Sequence, residues 1–143
     1  MTSVREEYER RFAELVEAPA ARAFARGRQA LVIVLKALGV EPGDRVGVCG
    51  YTCLSVAEAV KVAGAHPLYL DVDERLCIDP DGLASLEMGA MKVLILQHTF
   101  GLVGRLEALL SEARRVGAVV VEDACPDCGT RLRRPPPRPA APR

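Results

Sequence analysis

The stretch Val119-Val120-Val121-Glu122-Asp123-Ala124 decides the fold class, because a β-branched apolar run ends there on two carboxylates. Such a run is typical of a parallel strand that is buried on both faces. Open parallel sheets bind ligands beyond the carboxyl ends of their strands. Asp123 is therefore a candidate to hold a cationic ligand atom, a ribose hydroxyl or a metal ion. The alternative role for either carboxylate is to cap the next element of structure.

Upstream of this strand, extended and helical segments alternate along the chain. Shorter apolar runs predict strands at residues 45–49, 68–72 and 92–97. Apolar residues at helical spacing predict helices at about 4–16, 29–38, 55–63, from 79 onward and 103–116. We expect Ser55 and Asp79 to cap two of these helices. Repeated strand–helix units with short turns indicate an α/β fold, a parallel three-layer sheet flanked by helices, over residues 1–130.

Composition narrows the class of protein. The 143 residues are half hydrophobic and carry 19 basic and 19 acidic side chains, so no excess charge points to nucleic acid or to a membrane surface. No apolar run approaches the length that spans a bilayer, and the first residues do not resemble a signal peptide. We therefore expect a cytoplasmic protein, whose five cysteines are free thiols or ligands rather than disulfides.

The C-terminal part of the chain supports an alternative function. The spacing of Cys125 and Cys128 matches a zinc knuckle or a redox pair, and inert thiols are the third interpretation. A structural zinc ion needs four ligands, and the other close pair is Cys49 and Cys53. Residues 131–143, rich in proline and arginine, are predicted to form a disordered tail that binds an SH3-like groove, binds a phosphate surface or has no role. The alternative is thus a small zinc-binding or accessory interaction protein.

Two further positions carry possible chemistry. Gly27-Arg28-Gln29-Ala30-Leu31 opens a helix, where free backbone N–H groups and the positive dipole end suit a phosphate. His98 follows the strand at 92–97 and should lie at the same sheet edge as Asp123, as a site residue or as a turn residue bonded to backbone. His66 precedes a proline and is expected in an exposed turn. A doubly wound nucleotide binder is disfavoured, because no Gly-x-Gly-x-x-Gly follows a strand.

Taken in order, these segments resemble the DegT/DnrJ/EryC1/StrS family of pyridoxal-phosphate-dependent sugar aminotransferases, which have the fold-type-I architecture. The resemblance runs from about residue 4 to 129 and rests on the order and spacing of its segments. They are Gly27-Arg28-Gln29-Ala30-Leu31, residues 37–46, 57–60, 63–67 and 70–73, Gln97-His98-Thr99-Phe100-Gly101 and Val121-Glu122-Asp123-Ala124. The resemblance implies part of a large, pyridoxal-phosphate-binding domain, a nucleotide-sugar substrate and a homodimer.

The resemblance also implies roles for individual residues. Asp123 would pair with the pyridinium nitrogen and keep it protonated. The amides of Arg28 and Gln29 would hold the cofactor phosphate at the helix start. Tyr51, Thr52 and Cys53 would lie beside the cofactor ring.

The chain departs from the family pattern at three places. Cys53 stands where the family usually stacks an aromatic ring on the cofactor, and Pro126 stands where a glutamine or histidine is expected. The family's Schiff-base lysine lies downstream of the matching region, and none of the lysines present here matches its motif; these are Lys36, Lys61 and Lys92. The resemblance therefore predicts an N-terminal fragment without a catalytic lysine, inactive alone.

Overall fold

A computed structural model of the chain describes residues 2–125. Helices and strands alternate along most of this part. In chain order they are α1 (Val4–Leu15), α2 (Gly27–Ala37), β1 (Arg45–Cys49), α3 (Leu54–Val62), β2 (His66–Leu70), α4 (Pro80–Ala84), β3 (Val93–Gln97), a 3₁₀ turn (Thr99–Gly101), α5 (Leu106–Val116) and β4 (Val119–Asp123).

The four described strands form one parallel sheet in the order β2-β1-β3-β4. From β1 the chain crosses to β2 on one side, and then continues to β3 and β4 on the other side of β1. This reversal makes the gap between β1 and β3 the topological switch point of the sheet, where open α/β folds bind their ligands. The predicted parallel α/β sheet is confirmed.

Helices cover both faces of the sheet, as a three-layer fold requires. Leu35 of α2 and Val60 of α3 belong to one apolar cluster with inward-facing residues of β1 and β3. Leu83 of α4 and Leu109 of α5 belong to a second cluster on the opposite face. Alternate residues of β3 join the two clusters, and its first four residues, at 93–96, are therefore apolar on both faces.

The element boundaries correct several expectations from the sequence. The prediction that Ser55 caps the third helix is wrong, because α3 begins at Leu54 and Cys53 is its N-cap. β2 begins two residues earlier than predicted, so His66 is an exposed strand residue rather than a turn residue. The predicted Asp79 cap is confirmed, since its side chain accepts a hydrogen bond from the Asp81 amide.

Pro126, Cys128 and the tail at 131–143 lie outside the described residues. Between residues 2 and 125, no helix combines the length and apolar character needed to cross a bilayer.

Candidate functional site

The switch point opens because β1 and β3 separate toward their carboxyl ends. Their pairing covers only Val46 with Val93 and Gly47 with Leu94, whereas β3 and β4 stay paired as far as Gln97 and Asp123. The loops that follow β1 and β3 therefore flank a crevice. A crevice at this point of an α/β sheet is the expected place for a ligand.

Side chains from the two loops meet across this crevice. The Thr52 hydroxyl donates a hydrogen bond to Gln97 Oε1. The rings of Tyr51 and Phe100 lie with their centroids 6.3 Å apart and their planes tilted by 49°. Both rings are largely exposed, so they present an aromatic surface to a ligand entering the crevice.

Asp123 lies at the end of β4, where its neighbours come from β3. Its carbonyl oxygen accepts a hydrogen bond from the His98 N–H at 3.1 Å. The His98 ring is buried, with Nε2 at 2.6 Å from Glu122 Oε1, so His98 makes a side-chain contact beyond the backbone bond expected of a turn residue. The Asp123 carboxylate accepts only a 3.4 Å bond from the Cys125 amide, and no cation within residues 2–125 pairs with it. The Asp123 carboxylate oxygens can therefore accept hydrogen bonds from a cationic group or an N–H group of a ligand.

The segment after β3 carries two unusual features. Phe100 has φ of 56°, a left-handed backbone conformation that costs a side-chain-bearing residue on the order of 1–3 kcal/mol. The neighbouring Thr99 hydroxyl is buried without a hydrogen-bond partner in the described structure. Strain and an unsatisfied polar group in one short loop are typical of functional segments.

The start of α2 is an uncapped helix N-terminus. Its N-cap residue, Arg26, makes no side-chain cap, and its first turn contains no acidic residue. The Gln29 amide donates to the Arg26 carbonyl at 3.0 Å, and its role in holding a phosphate stays a prediction. The Arg28 amide has no backbone acceptor among the described residues, and the space beside Gly27 is open. An anion therefore has a donor and room at this helix start.

Arg28 and Cys53 join the starts of α2 and α3. Arg28 Nη1 lies 3.1 Å from Glu58 Oε2 of α3. The exposed Cys53 thiol accepts a 3.1 Å hydrogen bond from the Ser55 hydroxyl. This bond, the Ser55 amide and the nearby Arg28 guanidinium hold the pKa of the Cys53 thiol below its usual value.

The other described cysteines do not assemble a metal site. Burial raises the pKa of the Cys49 and Cys77 thiols, which makes them poor thiolate ligands. No cluster of three metal-ligating side chains occurs in residues 2–125. The zinc-binding alternative therefore gains no support from this part of the chain.

Several of these site features had no clear signal in the sequence. Asp123, Tyr51 and Cys53 were candidates from the sequence. Asp123 ends β4, and Tyr51 and Cys53 follow β1, so all three lie at the carboxyl edge of the sheet. The contact of Thr52 with Gln97 and the pairing of Glu122 with His98 were not predicted. The only available signal was that polar residues directly follow apolar strands.

Comparison with known proteins gives a consistent result. The DegT/DnrJ/EryC1/StrS aminotransferase family matches residues 2–135. A UDP-2-acetamido-2-deoxy-3-oxo-D-glucuronate aminotransferase of Pseudomonas aeruginosa is 37% identical over 124 residues, which cover 86% of this chain and 34% of that protein. The chain thus spans about a third of the length of this relative.

Solved structures share the fold at similar coverage. DesV of S. venezuelae matches with a TM-score of 0.83 and 30% identity, over 90% of this chain and 35% of that one. NtdA of Bacillus subtilis, crystallised with bound cofactor PMP, matches with a TM-score of 0.81 and 28% identity, over 87% of this chain and 29% of that one. The four-stranded sheet is therefore an architecture found in aminotransferases of fold type I.

Proposed function

Because the chain belongs to the DegT/DnrJ/EryC1/StrS aminotransferase family, we propose that it forms the cofactor-binding part of a pyridoxal-phosphate-dependent aminotransferase acting on nucleotide-linked keto sugars. The observation that carries this proposal is the position of Asp123. Asp123 is the last residue of a parallel strand near the switch point, and its carboxylate pairs with no cation among residues 2–125. A cytoplasmic location belongs to the same proposal.

The hydrogen-bonding groups at the carboxyl edge of the sheet fit the cofactor. Asp123 offers an anionic acceptor for a ring N–H, and the Arg28 amide offers a donor at a helix start. When bound, the cofactor would supply an electron sink for reaction at the substrate's amine-bearing carbon. The task of Asp123 is to hold a proton on the ring nitrogen, while His98 and Glu122 keep the ends of β3 and β4 in place.

The walls of the crevice suit a flat ring. Tyr51 supplies an aromatic surface, and the Phe100 ring lies beside it. This surface would partly replace the aromatic ring that the family usually has at the position of Cys53. The Cys53 thiol lies at the start of α3, next to Arg28. We propose that Tyr51 and Cys53 border the cofactor ring and that Arg28 binds its phosphate.

The positions of the lysines support the proposal that this chain alone is inactive. Lys36 and Lys61 lie in the last turns of α2 and α3, each of which leads into the amino end of a strand. Lys92 precedes β3 and pairs with Asp44 at 2.8 Å. All three therefore lie toward the sheet edge opposite to the one that carries Asp123. A lysine from residues outside this chain would have to complete the site.

Titration of the purified chain with pyridoxal phosphate tests the proposal. We expect weak, reversible binding, detected by changes in cofactor absorbance and fluorescence. Asp123→Asn should weaken this binding about tenfold, because it removes a charge-assisted hydrogen bond. Asp71→Asn, which changes an exposed carboxylate outside the crevice, is the matched control.

Two results would contradict the proposal. Equal affinity of the Asp123→Asn variant and the unmodified chain would remove Asp123 from the cofactor site. A covalent label found on Lys36, Lys61 or Lys92 after borohydride treatment, and absent without cofactor, would show that one of them does reach the cofactor. Peptide mass spectrometry locates such a label.

A further inference from the structure

Gln97 ends β3 with a polar side chain after four apolar residues. Val93 and Ile95 of this strand lie in the apolar cluster that α2 and α3 cover. Leu94 and Leu96 lie in the cluster on the other face of the sheet. Because side chains alternate along a strand, the partly buried Gln97 side chain continues the face of Val93 and Ile95. Its amide therefore lies on the side of the sheet that carries α2 and α3.

The Asp123 side chain lies on the same face of the sheet, one strand away. Val121 packs against the cluster that α2 and α3 cover, and Asp123 follows it by two residues. Gln97 and Asp123 are register partners in the parallel pairing of β3 with β4, whose strands lie about 4.8 Å apart. The two side chains are therefore neighbours. The start of α2, with the donor amide of Arg28, belongs to the helix layer on this side.

Thr52 fixes the orientation of the Gln97 amide. The Thr52 hydroxyl, on the loop after β1, donates a hydrogen bond to Gln97 Oε1 across the crevice between β1 and β3. The amide oxygen is thus engaged, and the N–H groups on Nε2 are left for another acceptor. Within the described part of the chain, Gln97 Nε2 donates to no acceptor. A partly buried amide with unused donors is suited to bind an acceptor atom of a ligand.

The strand order places Gln97 next to any ligand that Asp123 holds at the switch point. β3 lies between β4 and β1, so a ring that extends from Asp123 toward the crevice passes over the end of β3. The inference rests on the proposed function, in which Asp123 holds the ring nitrogen of pyridoxal phosphate. That ring carries a further strong acceptor, its hydroxyl oxygen, which is anionic when the ring nitrogen is protonated. We propose that Gln97 is a further cofactor-binding residue, which donates from Nε2 to this oxygen, and that Thr52 is its positioning residue.

Gln97 and Asp123 offer complementary hydrogen-bonding groups. The Asp123 carboxylate accepts a bond from a ring N–H, and the Gln97 amide donates one to a ring oxygen. A flat ligand that engages both groups is held in one orientation within its plane. Gln97 therefore determines which ring is bound and how it is turned, and it takes no part in proton transfer.

Titration with pyridoxal phosphate and with its deoxy analogue, which lacks the ring hydroxyl, tests the proposal. The unmodified chain should bind pyridoxal phosphate about tenfold more tightly than the analogue, because the analogue forms no charge-assisted bond with the amide. Gln97→Met has a similar length and no donor, and it should bind the two ligands alike. Asp123→Asn should weaken binding of both ligands, since both keep the ring nitrogen. Circular dichroism checks that each variant remains folded.

Substitutions of Thr52 test its positioning role. Thr52→Val should reduce the preference for pyridoxal phosphate over the analogue to about threefold, because the amide is no longer held in one orientation. Thr52→Ser keeps the hydroxyl and should keep the full preference. A purely structural effect of Thr52→Val would weaken both ligands equally and leave the ratio of their affinities unchanged.

The side-chain amides give a second readout that does not depend on affinity. Gln29 and Gln97 are the two glutamines of the chain, which has no asparagine, so a nitrogen–proton correlation spectrum contains two side-chain amide pairs. Gln97→Met identifies the pair that belongs to Gln97. Thr52→Val should shift this pair in the absence of ligand. Pyridoxal phosphate should move one of its protons downfield, and the deoxy analogue should not.

The outcomes separate this inference from the proposed function. A Gln97→Met variant that still prefers pyridoxal phosphate about tenfold overturns the role of Gln97, and so does a Gln97 amide pair that pyridoxal phosphate leaves unmoved. If Asp123→Asn weakens binding in the same experiments, the proposed function stands and only this inference fails. If neither substitution changes the affinity, or if the chain binds neither ligand, both fail together.

Discussion

His98 and Glu122 connect the carboxyl ends of two neighbouring strands, with His98 Nε2 at 2.6 Å from Glu122 Oε1. The same histidine donates its backbone N–H to the carbonyl of Asp123, the next residue of β4. The His98 ring is buried while the Glu122 side chain is mostly exposed, so the acidic side chain lies over the end of β3. The backbone that presents the Asp123 carboxylate is thus held by two contacts from one residue at the end of β3.

Replacing His98 should loosen this end of the sheet. We expect His98→Ala to lower the free energy of unfolding by about 1–3 kcal/mol, because a buried hydrogen-bonding group and its packing are lost. Urea denaturation measures the change, and Glu87→Ala at an exposed position serves as the control. A His98→Ala variant as stable as the control would show that the contact does not hold the strands.

At position 100 a glycine variant should be more stable than an alanine variant, which is the reverse of the usual order. At ordinary backbone angles a protein with glycine at a given position is less stable than one with alanine. The left-handed φ of 56° at Phe100 instead disfavours any residue that has a side chain. We expect Phe100→Gly to be more stable than Phe100→Ala by about 1 kcal/mol, measured by thermal and urea unfolding. The comparison removes the aromatic ring from both variants, so only the backbone preference differs. If alanine is the more stable of the two, the loop is not strained.

Cys53 should react first among Cys49, Cys53 and Cys77. The lowered pKa of Cys53 gives more thiolate at a given pH, while burial raises the pKa of the other two. Alkylation followed by mass spectrometry should show Cys53 labelled at the lowest pH. Ser55→Ala should shift this labelling to higher pH and slow it about threefold near neutrality, because the main cause of the lowered pKa is lost. Ser85→Ala, at a hydroxyl outside the site, should leave the profile unchanged.

Asp44 should contribute stability that is lost in acid. Lys92, and then the Glu41 amide, hold the pKa of the Asp44 carboxyl below its usual value of about 3.9. The contribution is therefore fully present above the unfolded pKa and disappears as the pH falls through the lower folded pKa. Asp44→Asn should lower the urea midpoint at pH 7 and leave it unchanged in strong acid. A constant difference at every pH would mean that ionisation of Asp44 plays no part.

Local features of the chain were readable from the sequence because they depend on neighbours a few residues apart. The Val119 run predicted a strand, and Asp79-Pro80 predicted a capped helix start, since β-branching, proline and a capping carboxylate act on adjacent backbone. The family resemblance was also contained in the sequence, because it rests on the order and spacing of such segments.

Where local signals compete, the sequence was less precise. Ser55 is a good capping residue, yet α3 begins one residue earlier, and the Ser55 hydroxyl bonds to Cys53 instead of capping the helix. Val56 and Val60 of α3 lie in the apolar cluster with β1 and β3, and burying two such side chains contributes more than the modest capping energy of about 1 kcal/mol.

Only the tertiary structure decided how the segments meet. The run ending on Asp123 predicted a ligand-binding edge, but not that β3 lies between β1 and β4 or that β1 and β3 separate to form a crevice. It also did not predict that His98 and Glu122 hold this edge, or that the three lysines lie at the other one. Strand order depends on which apolar faces bury one another across long stretches of chain, and no local pattern encodes that choice.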